Sequence, residues 1–264
     1  FPAVEFANKI LGHKLVLWNF SLDYHITYTF WAGVIGGAFL NTASHGVDQL
    51  IVQRLLAARN KRDSILALLG SGVLIFFQFA LFLIVGVMLF SFYGYHPGET
   101  VPAVRDRIFP SFVVNHLPHG VSGLMIAAIF AAAMSNLSSA LNSLASTTVV
   151  DFYRPFLKRD ASAADQVRFS RWMTVLWGVA LVGLAVLSRK VQSVLETGLT
   201  IAGITYGSML GVFLLGVFTK KANEKGSILG MAAGLLVMLA VWRFSAIPYT
   251  WYVLIGTVIT FSVG

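Results

Sequence analysis

The sequence contains no cysteine, which excludes disulfide staples, zinc-thiolate centres and cysteine nucleophiles and leaves the redox compartment unmarked. Charge is scarce too. Asp, Glu, Lys and Arg make up 11% of the 264 residues against 57% apolar ones, and the mean hydropathy is +0.77, far from the balance of a water-facing domain. The six histidines are scattered without ligand spacing. Paired carboxylates and nucleophile-base arrangements are also missing at any common membrane depth, so an enzyme is not expected. The net charge of +8 is broken into short clusters between apolar runs instead of forming one stripe, which argues against a nucleic-acid partner. The chain opens at Phe1 without an initiator Met or a charged-then-apolar leader, and it stops at Gly264 inside the apolar run Trp251 to Val263, so both ends read as cut.

What is abundant is long apolar sequence. A helix crosses a bilayer core with about 20 mostly apolar residues, because every backbone polar group must be satisfied without water. Seven such stretches are expected, from Tyr28 to Leu56, Ile65 to Phe92, Val121 to Val150, Phe169 to Leu187, Val191 to Phe218, Gly226 to Trp242, and Ile247 to the end. Lys and Arg in short loops mark the cytoplasmic side. They gather after the first span (Arg54, Arg59, Lys61, Arg62), the third (Arg154, Lys158, Arg159, Arg168, Arg171) and the fifth (Lys220, Lys221, Lys225). The intervening loops hold Arg105 and Arg107 against Glu99 and Asp106, then Arg189 with Lys190, then Arg243 alone. Residues before Tyr28 are therefore expected outside, in an integral multi-pass protein of the plasma membrane surrounded by lipid. Two glycine ladders, Gly203-Gly207-Gly211 and Gly226-Gly230-Gly234, recur every four residues and mark close helix packing.

Polar residues within the spans carry the functional signal. The third span reads Ala131-Ala-Ala-Met-Ser-Asn-Leu-Ser-Ser-Ala-Leu-Asn-Ser-Leu-Ala-Ser-Thr-Thr. On a helix Ser135, Ser139, Asn142 and Ser146 share a face, which Asn136, Ser143 and Thr147 widen. Such a stripe can bond to its own helix and neighbours, or it can offer a hard cation oxygen ligands. In the first span Gly33, Gly36 and Gly37 precede Asn41-Thr-Ala-Ser-His-Gly-Val-Asp-Gln. Glycines before a polar cluster suit a helix that unwinds near the bilayer middle. His45 is either a satisfied interior histidine or a gating or solute contact. Asp48, Arg54 and Glu196 sit near span ends, where anchoring or ion pairing is expected.

Three stretches resemble the sodium:solute symporters, the group of sodium-coupled glucose, proline, pantothenate and iodide carriers. They are Gly46-Val-Asp-Gln-Leu-Ile-Val-Gln-Arg, the Ser-rich span ending in Asp151-Phe-Tyr, and Gly211-Val-Phe-Leu-Leu-Gly-Val-Phe-Thr-Lys-Lys with Lys225-Gly-Ser-Ile-Leu-Gly beyond it. The resemblance implies an all-α integral membrane protein with a five-plus-five inverted-repeat transporter fold. Only the second repeat and two peripheral helices are then present. Residues 1–27 would form an extracellular loop segment, 28–218 core helices six to ten, and 219–264 peripheral helices, the last truncated. One sodium ion would be held by the Ala132 carbonyl and the side chains of Ser135 and Asn136, the latter standing where the family usually has Ser or Thr. Ser138 and Ser139 match a second sodium site of some members. Asn41 matches a solute-contacting position of the sugar-transporting branch, Ser44 replaces an aromatic inner-gate residue, and His45 adjoins them. Ile75 stands where the sugar branch carries a lysine, which argues against a sugar. The implied function is sodium-coupled symport of a small organic or anionic solute by alternating access. The alternative is a transporter-like sensor domain of a signalling kinase. Solute identity, sodium count and oligomeric state are not legible.

Overall fold

The computed structural model describes residues 18–96, 98–188, 193–220 and 222–264, with the backbone alone for Leu50, Gln53 and Arg54. Residues 1–17 of the expected outer segment, Arg189, Lys190, Val191, Lys221 and the side chain of Arg54 lie outside the described residues. Regular structure among the described residues is entirely helical. A π-helical turn, Ala32–Gly36, runs directly into α1 (Gly37–Gly46), followed by α2 (Gln49–Leu56) and the long α3 (Lys61–Tyr95). After a 3-10 turn, Arg105–Arg107, come α4 (Ile108–His116), α5 (His119–Thr147) with a π-helical extension Thr148–Leu157, and α6 (Ala163–Leu187). The last elements are α7 (Val194–Phe218), α8 (Glu224–Phe244), a 3-10 turn Tyr249–Trp251 and α9 (Tyr252–Val263).

Five helices are long and apolar enough to cross a membrane: α3, α5 with its extension, α6, α7 and α8, while α9 is a shorter apolar helix. Local chemistry sets their ends. The Asn223 side chain accepts the Gly226 N–H at 2.8 Å and starts α8, and Ser162 accepts the Asp165 N–H at 3.2 Å and starts α6. Pro155 lies in the π-helical extension of α5, where a wider turn tolerates a residue that lacks an N–H and crowds the preceding carbonyls.

The expected first span is not one continuous helix. Its glycines do not unwind; Gly33 and Gly36 sit in the π-helical turn, and the interruption comes after the polar cluster, at Val47 and Asp48. There the N–H groups of both Val47 and Asp48 point at the Ala43 carbonyl, at 3.0 and 3.2 Å, and Val47 leaves helical geometry with φ −124°. The short α4 was not expected, because nine residues with Pro110 in their first turn are too few for a span pattern.

The chain forms two compact units, one comprising the described residues up to Leu69 together with Leu195–Gly264, the other Gly70–Val194. In the first unit α9 is embraced by α7 and α8. Both glycine ladders make this possible: a Cβ on Gly207 would lie 2.9 Å from the Gly256 Cα, and one on Gly230 would lie 2.6 Å from the Thr260 carbonyl oxygen. Thr257 closes the seam, its hydroxyl reaching the carbonyls of Val253 at 2.6 Å and Gly207 at 3.2 Å. Ala43 of α1 packs onto the same seam with Leu210 and Val253. In the second unit Trp177 of α6 donates to the Thr148 hydroxyl at 3.0 Å, and Tyr153 stacks on Phe169 with ring centroids 4.1 Å apart.

Candidate functional site

The second unit holds the Ser-rich stripe. Helix α5 is uninterrupted from His119 to Thr147, so the Ala132 carbonyl belongs to its helical ladder. Ser135, Ser138, Ser139 and Asn142 line an open depression of about 650 Å³, walled by Met134, Leu137 and Leu141 and closed on one side by Thr174 of α6. Their spacing of three and four residues puts them on one helix face. None of these four polar side chains has a hydrogen-bond partner among the described residues. Thr174 donates its hydroxyl proton to the Ser170 carbonyl at 2.9 Å, which leaves its oxygen lone pairs for the depression. The site is therefore a strip of neutral oxygen acceptors at mid-span depth.

The expected ligands are divided by this geometry. Ser135, Ser138 and Ser139 come together on the depression. Asn136, about 100° round the helix from Ser135, is exposed but does not line it, and neither does Ala132. Thr174 is the participant that sequence analysis missed; the available signal was a lone hydroxyl within the apolar run Trp172 to Leu187.

The first unit holds the second polar cluster, and its groups are occupied differently. Asn41 donates its amide to the Gly37 carbonyl at 2.9 Å, and Thr42 its hydroxyl to the Ala38 carbonyl at 2.8 Å. Ser44 Oγ lies 2.8 Å from His45 Nδ1 and 3.2 Å from the Asn41 carbonyl, while His45 Nδ1 lies 3.1 Å from that carbonyl. Asn41, Ser44 and His45 thus form one local network, which leaves the side-chain oxygen of the exposed Asn41 and His45 Nε2 for a further partner. The span-end carboxylates expected to anchor do so through phenols: Tyr206 donates to Asp48 at 2.6 Å and Tyr28 to Glu196 at 3.2 Å, with Tyr249 3.1 Å from Tyr28. No tyrosine was singled out in the sequence, since each lies more than 150 residues from its partner carboxylate.

Among the described residues no group of three or more His, Cys, Asp or Glu side chains is placed to hold a metal. A cation would have to be held by neutral oxygens. Comparison with known proteins decides what kind of membrane protein this is. Residues 17–234 match the model of the sodium:solute symporter family. The chain belongs to that family. It is 32% identical over 224 residues to the sodium-dependent multivitamin transporter of Oryctolagus cuniculus, covering 83% of this chain and 35% of that protein. It is 33% identical over 241 residues to the sodium-coupled monocarboxylate transporter 1 of Mus musculus, covering 88% and 39%. Against a sodium/sialic acid symporter of Aliivibrio fischeri the identity is 32% over 237 residues, covering 88% and 46%. A solved structure of a Na+-coupled sialic acid symporter, substrate-bound and outward-open with a novel Na+ site, superposes on the whole chain with a TM-score of 0.76 at 26% identity, using 53% of its own length. The chain thus spans about a third to a half of the length of these relatives, all of them transporters. Membership and the five apolar helices make this symporter-family chain an integral multi-pass membrane protein.

Proposed function

We propose that this chain is the second five-helix repeat, with two peripheral helices, of a sodium-coupled symporter for a small anionic or organic solute. Its inverted partner repeat belongs to the remaining length of the protein. Sodium is held on α5 by Ser135, Ser138 and Ser139, with Thr174 of α6 as a further oxygen. The Ala132 carbonyl and the Asn136 side chain, at i and i+4 about Ser135 at i+3, offer further oxygens on the adjoining part of the same helix. The single supporting observation is the unpaired oxygen stripe on the depression. A hard cation stripped of water needs such acceptors, and a membrane helix rarely keeps so many hydroxyls without partners.

The solute contacts are Asn41, Ser44 and His45, on the helix that follows the π-helical turn. Relatives named for monocarboxylates, iodide and sialic acid all carry anions. A carboxylate on a sugar skeleton stays within that class, so Ile75 weighs only against neutral sugars. The clustering of Arg59, Lys61 and Arg62, of Arg154, Lys158 and Arg159, and of Lys220 and Lys225 supports a plasma-membrane orientation with the residues before Tyr28 outside. One sodium ion crossing 100 mV supplies about 2.3 kcal/mol, roughly fifty-fold solute accumulation.

The test is sodium-driven uptake by the full-length protein in proteoliposomes, with a radiolabelled monocarboxylate, iodide and sialic acid offered in turn. At least one should accumulate with sodium and not with potassium. Ser135→Ala should raise the half-activating sodium concentration about tenfold, the equivalent of one lost charge-assisted contact. Unchanged sodium activation in that variant would remove the site.

A further inference from the structure

Helix α1 carries the proposed solute contacts and then stops abruptly at Val47 and Asp48. Gly46 closes α1 and weakens the helix there, while Val47 and Asp48 carry no breaker of their own, and a tertiary contact meets the break. Backbone satisfaction at the break is complete: Val47 and Asp48 both donate to Ala43, and the Asp48 carbonyl accepts the N–H groups of Ile51 at 3.1 Å and Val52 at 2.9 Å to begin α2. What fixes the break in space is the Asp48 side chain. Its carboxylate accepts the Tyr206 hydroxyl at 2.6 Å in a half-buried position. A phenol bonding to a carboxylate is charge-assisted, and it strengthens where water is excluded.

Tyr206 is an unusually rigid anchor. Its neighbours Gly203 and Gly207 sit against Tyr252 and Gly256 of α9 so closely that a Cβ on either would come within 3.0 and 2.9 Å of them. Its ring packs with Val47 on the core of Ala43, Leu210 and Val253. The break in the solute-bearing helix is thereby tied to the glycine-lined α7–α9 seam of its unit. At the other end of the same segment Tyr28 reaches Glu196, also on α7.

We propose that Tyr206 and Asp48 are a positioning pair, which holds the α1–α2 break against α7 and so sets the placement of Asn41, Ser44 and His45. This deepens the assignment of those three residues to the solute and rests on it for its functional meaning. The pair itself is tested without any solute.

The experiment uses the full-length protein in proteoliposomes with Val47→Cys at the break, labelled by a maleimide; the 264 residues here contribute no other cysteine. Tyr206→Phe removes only the hydroxyl and should speed labelling about tenfold, as expected for loss of a bond to a charged group. Asp48→Ala should match it. Asp48→Asn should label close to the parent rate, because its amide oxygen accepts the same phenol proton. An unchanged rate in Tyr206→Phe overturns the pairing, and so does acceleration in Asp48→Asn equal to that in Asp48→Ala. Uptake by Asn41→Ala tests the solute edge separately: normal uptake there, with accelerated labelling in Tyr206→Phe, removes the edge and leaves the pair standing.

Discussion

Helices α5 and α7 are built from similar stock, long apolar runs studded with small residues, yet they use them in opposite ways. In α7 39% of the most apolar window is buried within the protein, and its glycines lie against the α9 backbone. In α5 the corresponding share is 0%, and Ala131, Ala132, Ala133, Ser135 and Ser138 are all exposed. Association in lipid depends on close backbone approach and on hydrogen bonds, since lipid chains compete equally for apolar surface. A small-residue helix that is covered is therefore an interface. One that is left open, with hydroxyls lacking partners, has surface available for something else, and a cation and the rest of the symporter are the occupants proposed.

The comparison can be broken from either side. The largest effect is expected at the packed helix. Gly207→Val places its Cβ 2.9 Å from the Gly256 Cα and its methyl groups in the same crowded space, and overpacking of this kind costs about 1–3 kcal/mol. The detergent-solubilised full-length protein should melt well below its parent, and an unchanged melting temperature would show that the α7–α9 seam can part.

Next in size is the open helix. Ser139→Ala should leave the melting temperature of the sodium-free protein within about 0.5 kcal/mol equivalent of the parent, as for substitutions away from packed features. It should also weaken the stabilisation that sodium gives by about tenfold in concentration. A thermal scan across sodium concentrations checks both halves. A drop without sodium would mean that Ser139 is a packing residue like those of α7.

The smallest effect belongs to the surface. Lys158 donates to Asp165 at 2.7 Å, and that bond raises the lysine pKa above its ordinary value, but both groups lie in water. Lys158→Met should change neither melting temperature nor sodium response, because solvent screens such pairs. A measurable loss would give this exposed link a role the geometry does not.

Much of this architecture is legible in the sequence because lipid leaves so few options. Apolar length alone locates α3, α5, α6, α7 and α8, and four-residue glycine spacing identifies both faces of the α9 seam. The break at Asp48 is only half legible: Gly46 is a local weak point at the end of α1, but the contact that meets the break comes from Tyr206, far away in the sequence. The site shows the same limit. Helical periodicity places Ser135, Ser138 and Ser139 on the face that lines the depression, whereas the grouping of Asn136 with Ala132 and Ser135 rests on the family motif and lies beside that depression. Thr174 could enter only once α5 and α6 were seen side by side.

Equilibrium binding of radioactive sodium to the purified full-length protein addresses the oxygen stripe directly. The parent should bind saturably, and the double variant Ser135→Ala with Ser139→Ala should need at least tenfold more sodium for half-saturation. Equal affinity in the two proteins would contradict the account and move the ion away from α5.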